Sequence, residues 1–200
     1  AFGSPEVIEI CRAHGFKTEG EIVYFNYKSV EKARAMAPNE FILAARDEAK
    51  SLVFNLDCQV VAPGIGCVYV VDHQGRLIAP TKADFIKAAQ FTQVLPQIQL
   101  CRPLFPPHDV KADQIFNWMM ANQILYQDKP YYLMVADDAR LLSLAFGQSP
   151  SEMEKSALMG KAYGLSSINI ISPLFVPGEA CRNMMAYCRS GVAFNITSMP

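Results

Sequence analysis

The chain has 200 residues, of which 51% are hydrophobic and 18% are charged, and its formal net charge is −1. This composition supports a sizeable core and gives no electrostatic reason to bind nucleic acid or an anionic membrane. No apolar run approaches the roughly 18 residues of a membrane-spanning helix, and residues 1–12 lack the pattern of a signal peptide. We therefore expect a globular cytoplasmic protein with neither a nucleic-acid nor a membrane partner.

Residues 1–96 predict a mixed α+β N-terminal module. Ser4-Pro5-Glu6 is typical of a helix start, with a capping serine followed by proline at the first helical position. Thr81 and Asp84 have the spacing of a capping box and predict a second helix start. Further elements are expected as strands at Glu21–Tyr27, Phe41–Ala45, Ser51–Leu56, Val68–Val71 and Arg76–Ala79, and as a helix at Ser29–Ala37.

Residues 97–200 predict strands that alternate with helices. An alternating order implies a parallel sheet whose faces are covered by the connecting helices. A closed eight-unit barrel needs roughly 250 residues, so this part would supply the first half of a (β/α)8-type barrel, truncated at the C-terminus. The fold class we predict is α/β, a partial TIM-like (β/α) barrel after the mixed module, with strands at Ile98–Phe105, Tyr131–Ala136, Ile168–Phe175 and Val192–Pro200.

Three helices are expected between these strands. The first would bury Ile115, Trp118, Met119 and Leu125. The second starts at a capping box formed by Ser149 and Glu152 and would end at Gly164, and the third covers residues 179–190.

Barrel enzymes place their chemistry at the carboxyl ends of the strands, which nominates a set of candidate site residues. Asp137 and Asp138 have an alternative interpretation as a helix start or solvated loop, and Phe105 and Phe175 as packing residues. Gly64 and Gly66 lack the rest of a dinucleotide fingerprint and favour a turn. The nominated residues are Arg102, Pro103, Phe105, Asp137, Asp138, Ser172, Pro173, Phe175 and Ser198.

Metal and disulfide chemistry find little support in the sequence. The six cysteines include no Cys-x-x-Cys pair, and most lie in apolar runs where a free thiol behaves as a small hydrophobic group. The three histidines share no ligand-like spacing with a cysteine. We predict buried free thiols and no metal site.

Several short motifs, in order along nearly the whole chain, resemble the trimethylamine methyltransferase family. The family includes glycine betaine methyltransferases without pyrrolysine, and the match is to the N-terminal half of its members. Where the family often has a Gly-Gly pair, this chain has Met159-Gly160-Lys161. The motifs are Pro80-Thr81 with Asp84, Asp128-Lys129-Pro130, Glu152-Met153, Ile171-Ser172-Pro173-Leu174 and Ile196-Thr197-Ser198-Met199-Pro200.

The resemblance implies transfer of a methyl group from a methylated amine, either trimethylamine or a quaternary amine such as glycine betaine. The acceptor would be a corrinoid held by a separate cognate protein, so that this segment binds no cofactor directly. Aromatic faces and a carboxylate suit a quaternary cation, which makes Phe105, Phe175 and Asp137 the local candidates for amine binding. We assign no catalytic acid or base.

A second interpretation is a non-catalytic amine-binding or structural half-barrel protein. An exposed edge at Val192–Met199 would then be covered by another chain, and a homo-oligomer is one way to do this. Methylation of cobalt supports the first interpretation, whereas amine binding without transfer supports the second.

Overall fold

The structure is a computed structural model, which describes the backbone of residues 1–199 and the side chains of residues 1–197. Seven α-helices and several small sheets form a mixed α/β architecture over these residues. The helices are α1 (Pro5–Ala13), α2 (Tyr27–Met36), α3 (Lys82–Val94), α4 (Ile115–Tyr126), α5 (Asp138–Phe146), α6 (Pro150–Leu158) and α7 (Gly178–Cys188). The strands are β1 (Lys17–Glu19), β2 (Ile22–Tyr24), β3 (Phe41–Leu43), β4 (Leu52–Phe54), β5 (Val70–Val71), β6 (Leu77–Ile78), β7 (Lys161–Ala162), β8 (Gly164–Ile171) and β9 (Val192–Met199).

Local capping signals place the helix starts where the sequence predicts them. The Ser4 hydroxyl accepts from the Val7 amide at the start of α1. Complete capping boxes open α3, through Thr81 and Asp84, and α6, through Ser149 and Glu152. These helix starts are confirmed because each depends on residues within one turn.

The carboxyl-terminal part is organised by parallel pairing. β8 and β9 pair in parallel along their whole length, from Gly164 with Val192 onward. Single parallel bridges, between Cys101 and Tyr131 and between Tyr132 and Leu165, extend this sheet. Four segments therefore lie side by side in chain order. The predicted α/β class is confirmed, but residues 1–199 do not form a closed barrel, so the TIM-like barrel stays a prediction.

The strand bounds differ from the prediction. The expected strands Ile98–Phe105 and Tyr131–Ala136 contract to the bridges at Cys101, Tyr131 and Tyr132, and nearby prolines such as Pro103 and Pro130 cannot donate to a ladder. β8 begins at Gly164 and ends at Ile171 instead of covering Ile168–Phe175. The chain reverses after Ile171, and Phe175 pairs back with it. Pro200 lies outside the described residues.

Two predictions for the helices are wrong. α6 ends at Leu158, and Gly164 is a strand residue where an added Cβ would lie 2.6 Å from Leu133 Cδ1. In α4, Leu125 is 71% exposed, whereas Met119 and Met120 are buried. No helix was predicted over the length of α5, although the helix-start interpretation of Asp137 and Asp138 agrees with where it begins.

The main core lies between the parallel sheet and its helices. It contains Tyr131, Leu133, Leu142, Met153, Ile168 and Tyr187. The N-terminal part joins this body, since β3 pairs with β7 and Lys50 forms an ion pair with Asp128. A domain boundary near residue 96 stays a prediction. No helix in residues 1–199 is long and apolar enough to cross a membrane.

Candidate functional site at the inner face of the sheet

Side chains alternate between the two faces of β8 and β9. Ser166 and Ile168 are buried on the face of β8 that points toward the core. Successive residues of a strand point to opposite faces, so Ser167 and Asn169 lie on the other face, together with Asn195 and Thr197 of β9. These four polar residues define what we call the inner face.

In the parallel register, Ser167 lies opposite Asn195 and Asn169 lies opposite Thr197. The Ser167 hydroxyl donates to Asn195 Oδ1 at 2.6 Å, and the Thr197 hydroxyl donates to Asn169 Oδ1 at 2.6 Å. Each hydroxyl therefore satisfies an amide oxygen. No side chain or carbonyl of the described residues accepts from the two side-chain NH₂ groups, so the inner face presents hydrogen-bond donors.

A cavity of about 600 Å³ borders the amino-terminal half of the inner face. Arg102 is its charged residue, and the guanidinium carbon lies 4.6 Å from the centroid of the Tyr132 ring. None of the described residues that line it is acidic. They are Phe41, Phe54, Cys58, Val60, Ala62, Leu100, Arg102, Tyr132, Leu165, Ser167, Ala193, Phe194 and Asn195.

Asp137 lies at a different place, on a cavity of about 320 Å³. It is exposed and directly precedes α5, as the helix-start interpretation predicts. Three carboxylates and one guanidinium surround this cavity, which leaves it net negative. Its charged and aromatic lining residues are Asp113, Phe116, Asp137, Glu179 and Arg182.

Asp138 is buried behind the end of the strand segment that contains Tyr131 and Tyr132. It is 1% exposed, and its Oδ2 accepts from the amides of Met134 at 2.8 Å and Val135 at 3.1 Å. Burial raises the pKa of Asp138 to about 6, although these two hydrogen bonds act to lower it. Its role in this geometry is to hold the backbone at the carboxyl end of the strand.

The other predicted site residues are dispersed. Phe105 is 6% exposed and packs edge-to-face on Phe85, with the ring centroids 6.2 Å apart. Ser172 and Pro173 are exposed in the turn after β8, and Phe175 is partly buried beside Gly3. The side chain of Ser198 lies outside the described part. No described cavity holds Phe105, Asp137 and Phe175 together, so their roles in binding stay predictions.

Sequence reasoning nominated Arg102 but missed the inner face. The predicted third strand began at Ile168, so Ser167 fell within a connection instead of a strand. A usable signal was present, because Ser167 and Asn169 alternate with isoleucines, as Asn195 and Thr197 alternate with Phe194 and Ile196. The register that pairs them requires the fold.

Open parallel α/β sheets bind ligands outside the carboxyl ends of their strands. The chain is a mixed α/β protein whose parallel β8–β9 pair presents hydrogen-bond donors on its inner face. A family profile described as trimethylamine methyltransferase (MTTB) matches residues 1–199. The chain belongs to the trimethylamine methyltransferase family, as its motifs predict.

A curated relative is similar along almost the whole chain. It is a glycine betaine methyltransferase from Desulfitobacterium hafniense (strain Y51), 26% identical over 199 residues. The alignment covers 96% of this chain and 40% of the relative. The chain therefore spans about two fifths of the length of the relative that it matches.

Proposed function

We propose that this chain is the N-terminal part of a methyltransferase that moves a methyl group from a methylated amine to a corrinoid protein. The observation that carries the proposal is the family match over residues 1–199. The parallel order of four strand segments supports a partial TIM-like barrel, whose remaining strands would enclose the inner face. The named activity of the relative supports a methylated amine as the substrate class.

The residues of this chain would bind and orient the amine. The NH₂ groups of Asn169 and Asn195 can hold acceptor atoms of the substrate, since their own oxygens are already paired. Aromatic faces favour a desolvated cation by on the order of 2 kcal/mol, and the larger cavity is lined by Phe41, Phe54 and Phe194. In this account the inner face fixes the substrate so that its methyl groups point toward the open carboxyl ends of the strands.

The corrinoid belongs to the separate protein in this proposal, where it supplies a cobalt nucleophile for the methyl group. The residues described here do not fit the role of cobalt ligands. The inner face offers hydroxyl, amide and guanidinium groups, and the described residues contain no group of three or more His, Cys, Asp or Glu side chains that could hold a metal. The contribution of this chain is therefore substrate binding.

The test is methyl transfer by the full-length protein with its corrinoid protein and a panel of methylated amines. The visible spectrum follows methylation of the reduced corrinoid, and proton NMR follows loss of the amine methyl group. We expect one methyl group lost from the amine for each corrinoid methylated, and neither change when the protein or the amine is omitted. Tight amine binding with no transfer to any corrinoid protein would instead support a non-catalytic binding protein.

A further inference from the structure

The turn that follows β8 has a strained backbone. Leu174 has a φ of +74°, and in the described part of the chain it is the one non-glycine residue with a positive φ. A bulky residue is rarely found in this left-handed region, because its Cβ lies too close to a carbonyl oxygen. Such a conformation persists only where the surrounding structure holds it, and residues of this kind cluster at functional sites.

Backbone hydrogen bonds hold this turn from two sides. On one side, Ile171 and Phe175 each donate to the carbonyl oxygen of the other at 2.8 Å, which closes the chain reversal. On the other side, the Val176 amide donates to the oxygen of Ala1 at 2.9 Å, and the Gly3 amide donates to the oxygen of Val176 at 2.8 Å. The first three residues, which we call the amino-terminal segment, therefore fix the exit of the strained turn.

Two facing glycines allow the amino-terminal segment to approach so closely. A Cβ added to Gly178, the first residue of α7, would lie 2.6 Å from the oxygen of Gly3. A Cβ added to Gly3 would lie 3.0 Å from the Gly178 nitrogen and 3.2 Å from Phe175 Cζ. Gly178 has no positive φ, so the close approach, and not a backbone angle, requires glycine there. A side chain at Gly178 would push the segment away from the turn.

We propose that Gly3, Leu174 and Gly178 are positioning residues for methyl transfer. The amino-terminal segment holds the turn Ser172–Phe175 in its strained form, and the turn in that form shapes the carboxyl end of the inner face. That is the end toward which the proposed function directs the methyl groups of the substrate. This inference rests on the proposed function, and it gives the Ser172-Pro173-Leu174 motif a role in the reaction.

The size of the expected effect follows from the contacts. The turn begins directly after Ile171, two residues beyond Asn169 of the inner face. An alanine at Gly178 must increase the distance from its Cβ to the Gly3 oxygen from 2.6 Å to at least the 3.4 Å of an ordinary contact. A misplacement of about 1 Å can lower the rate of a positioned reaction by about a hundredfold. A shift of the turn should therefore affect the rate more than it affects binding.

The test uses the full-length protein and two pairs of variants. Leu174→Gly removes the cost of the left-handed angle, and Leu56→Gly, at an exposed loop position, is its matched control. Gly178→Ala moves the amino-terminal segment, and Gly64→Ala, whose Cβ would have nothing within 4 Å, is its control. Methyl-transfer kinetics give kcat and KM, and thermal unfolding midpoints establish that each variant folds. Hydrogen exchange at residues 172–176 reports how firmly the turn is held.

We expect Leu174→Gly to lower kcat by about tenfold or more, with KM changed by less than about twofold. Its unfolding midpoint should not fall, because glycine adopts the left-handed angle without strain. Gly178→Ala should give a similar loss of kcat, together with faster hydrogen exchange in the turn. Leu56→Gly and Gly64→Ala should retain kcat. If Gly178→Ala does not fold, Gly3→Ala makes a smaller overlap and should give a smaller loss of kcat.

An unchanged kcat in Leu174→Gly and Gly178→Ala would overturn the inference. A loss of kcat that only follows a lower unfolding midpoint would overturn it as well, since a purely structural role gives that result. If the unsubstituted protein transfers no methyl group from any methylated amine, the proposed function itself fails. If it transfers methyl groups and both variants do so equally fast, only the role of the strained turn is wrong.

Discussion

Lys129 shows how a motif residue can serve the fold. Its side chain is buried, and its ammonium donates to the backbone oxygens of Thr92 at 2.8 Å, Leu95 at 2.8 Å and Ile98 at 2.6 Å. These carbonyls lie at and beyond the carboxyl end of α3, where backbone acceptors lack helical partners. Lys129 therefore ties the end of α3 to the strand segment that follows Pro130. The lysine of the Asp128-Lys129-Pro130 motif therefore has a structural role in this chain.

Asp138 provides a test at the scale of one ionisable group. Its pKa is raised from 3.8 to about 6, chiefly by burial, so the folded state retains a proton that the unfolded state has lost between these values. Stability then falls as the pH rises from about 4 to about 6, by about 3 kcal/mol in total. Asp138→Asn removes the ionisation and keeps an oxygen that can accept from Met134 and Val135.

We expect urea unfolding of the full-length protein to show this difference. The stability of Asp138→Asn relative to the unsubstituted protein should increase from about pH 4 to about pH 7, by up to about 3 kcal/mol. Asp57→Asn, at an exposed loop position, is the control and should retain the original pH dependence. An unchanged pH dependence in Asp138→Asn would show that this carboxyl does not titrate as described.

At the scale of elements, local signals predicted where helices start better than they predicted how long strands are. Ser4, Thr81 and Ser149 each begin a helix as predicted, because a cap is formed by neighbouring residues. The strands near Cys101 and Tyr131 came out much shorter than predicted, because a ladder depends on partners far away in sequence. Ser167 was left out of the predicted strand for the same reason, since its pairing with Asn195 depends on a distant segment. The inner face was therefore not predicted.

The connection between α7 and β9 gives a prediction for an element boundary. Gly191 has a φ of +63°, and a Cβ at this position would collide with the carbonyl oxygen of Met153 in α6. Gly147, which follows α5, has a φ of +61° but nothing within 4 Å of its Cβ position. An alanine at Gly147 would have only the unfavourable backbone angle, whereas an alanine at Gly191 would have both that angle and the steric collision. Comparing the two substitutions therefore separates the two contributions to the free energy of unfolding.

We expect Gly147→Ala to destabilise the protein by about 1 kcal/mol through the backbone angle alone. Gly191→Ala should cost about 3 kcal/mol or more, since α6 must also move. Thermal unfolding midpoints of the two variants of the full-length protein provide the comparison. Equal shifts would contradict the close approach of α6 to Gly191.

At the scale of the whole molecule, the α/β class and the family followed from the order of elements and motifs. The candidate site could be predicted from the sequence only in part. Asp137 and Arg102 were nominated as residues after strands, but they line different cavities. Which strand ends face a common space depends on sheet curvature and on pairing between distant segments, neither of which a local pattern encodes.

The most direct test is a crystal structure of the full-length protein with glycine betaine bound. The account predicts a closed barrel in which glycine betaine lies against the inner face, with its methyl groups toward the carboxyl ends of β8 and β9. A ligand in the cavity beside Asp137, or an inner face that is filled by side chains and holds no ligand, would contradict it.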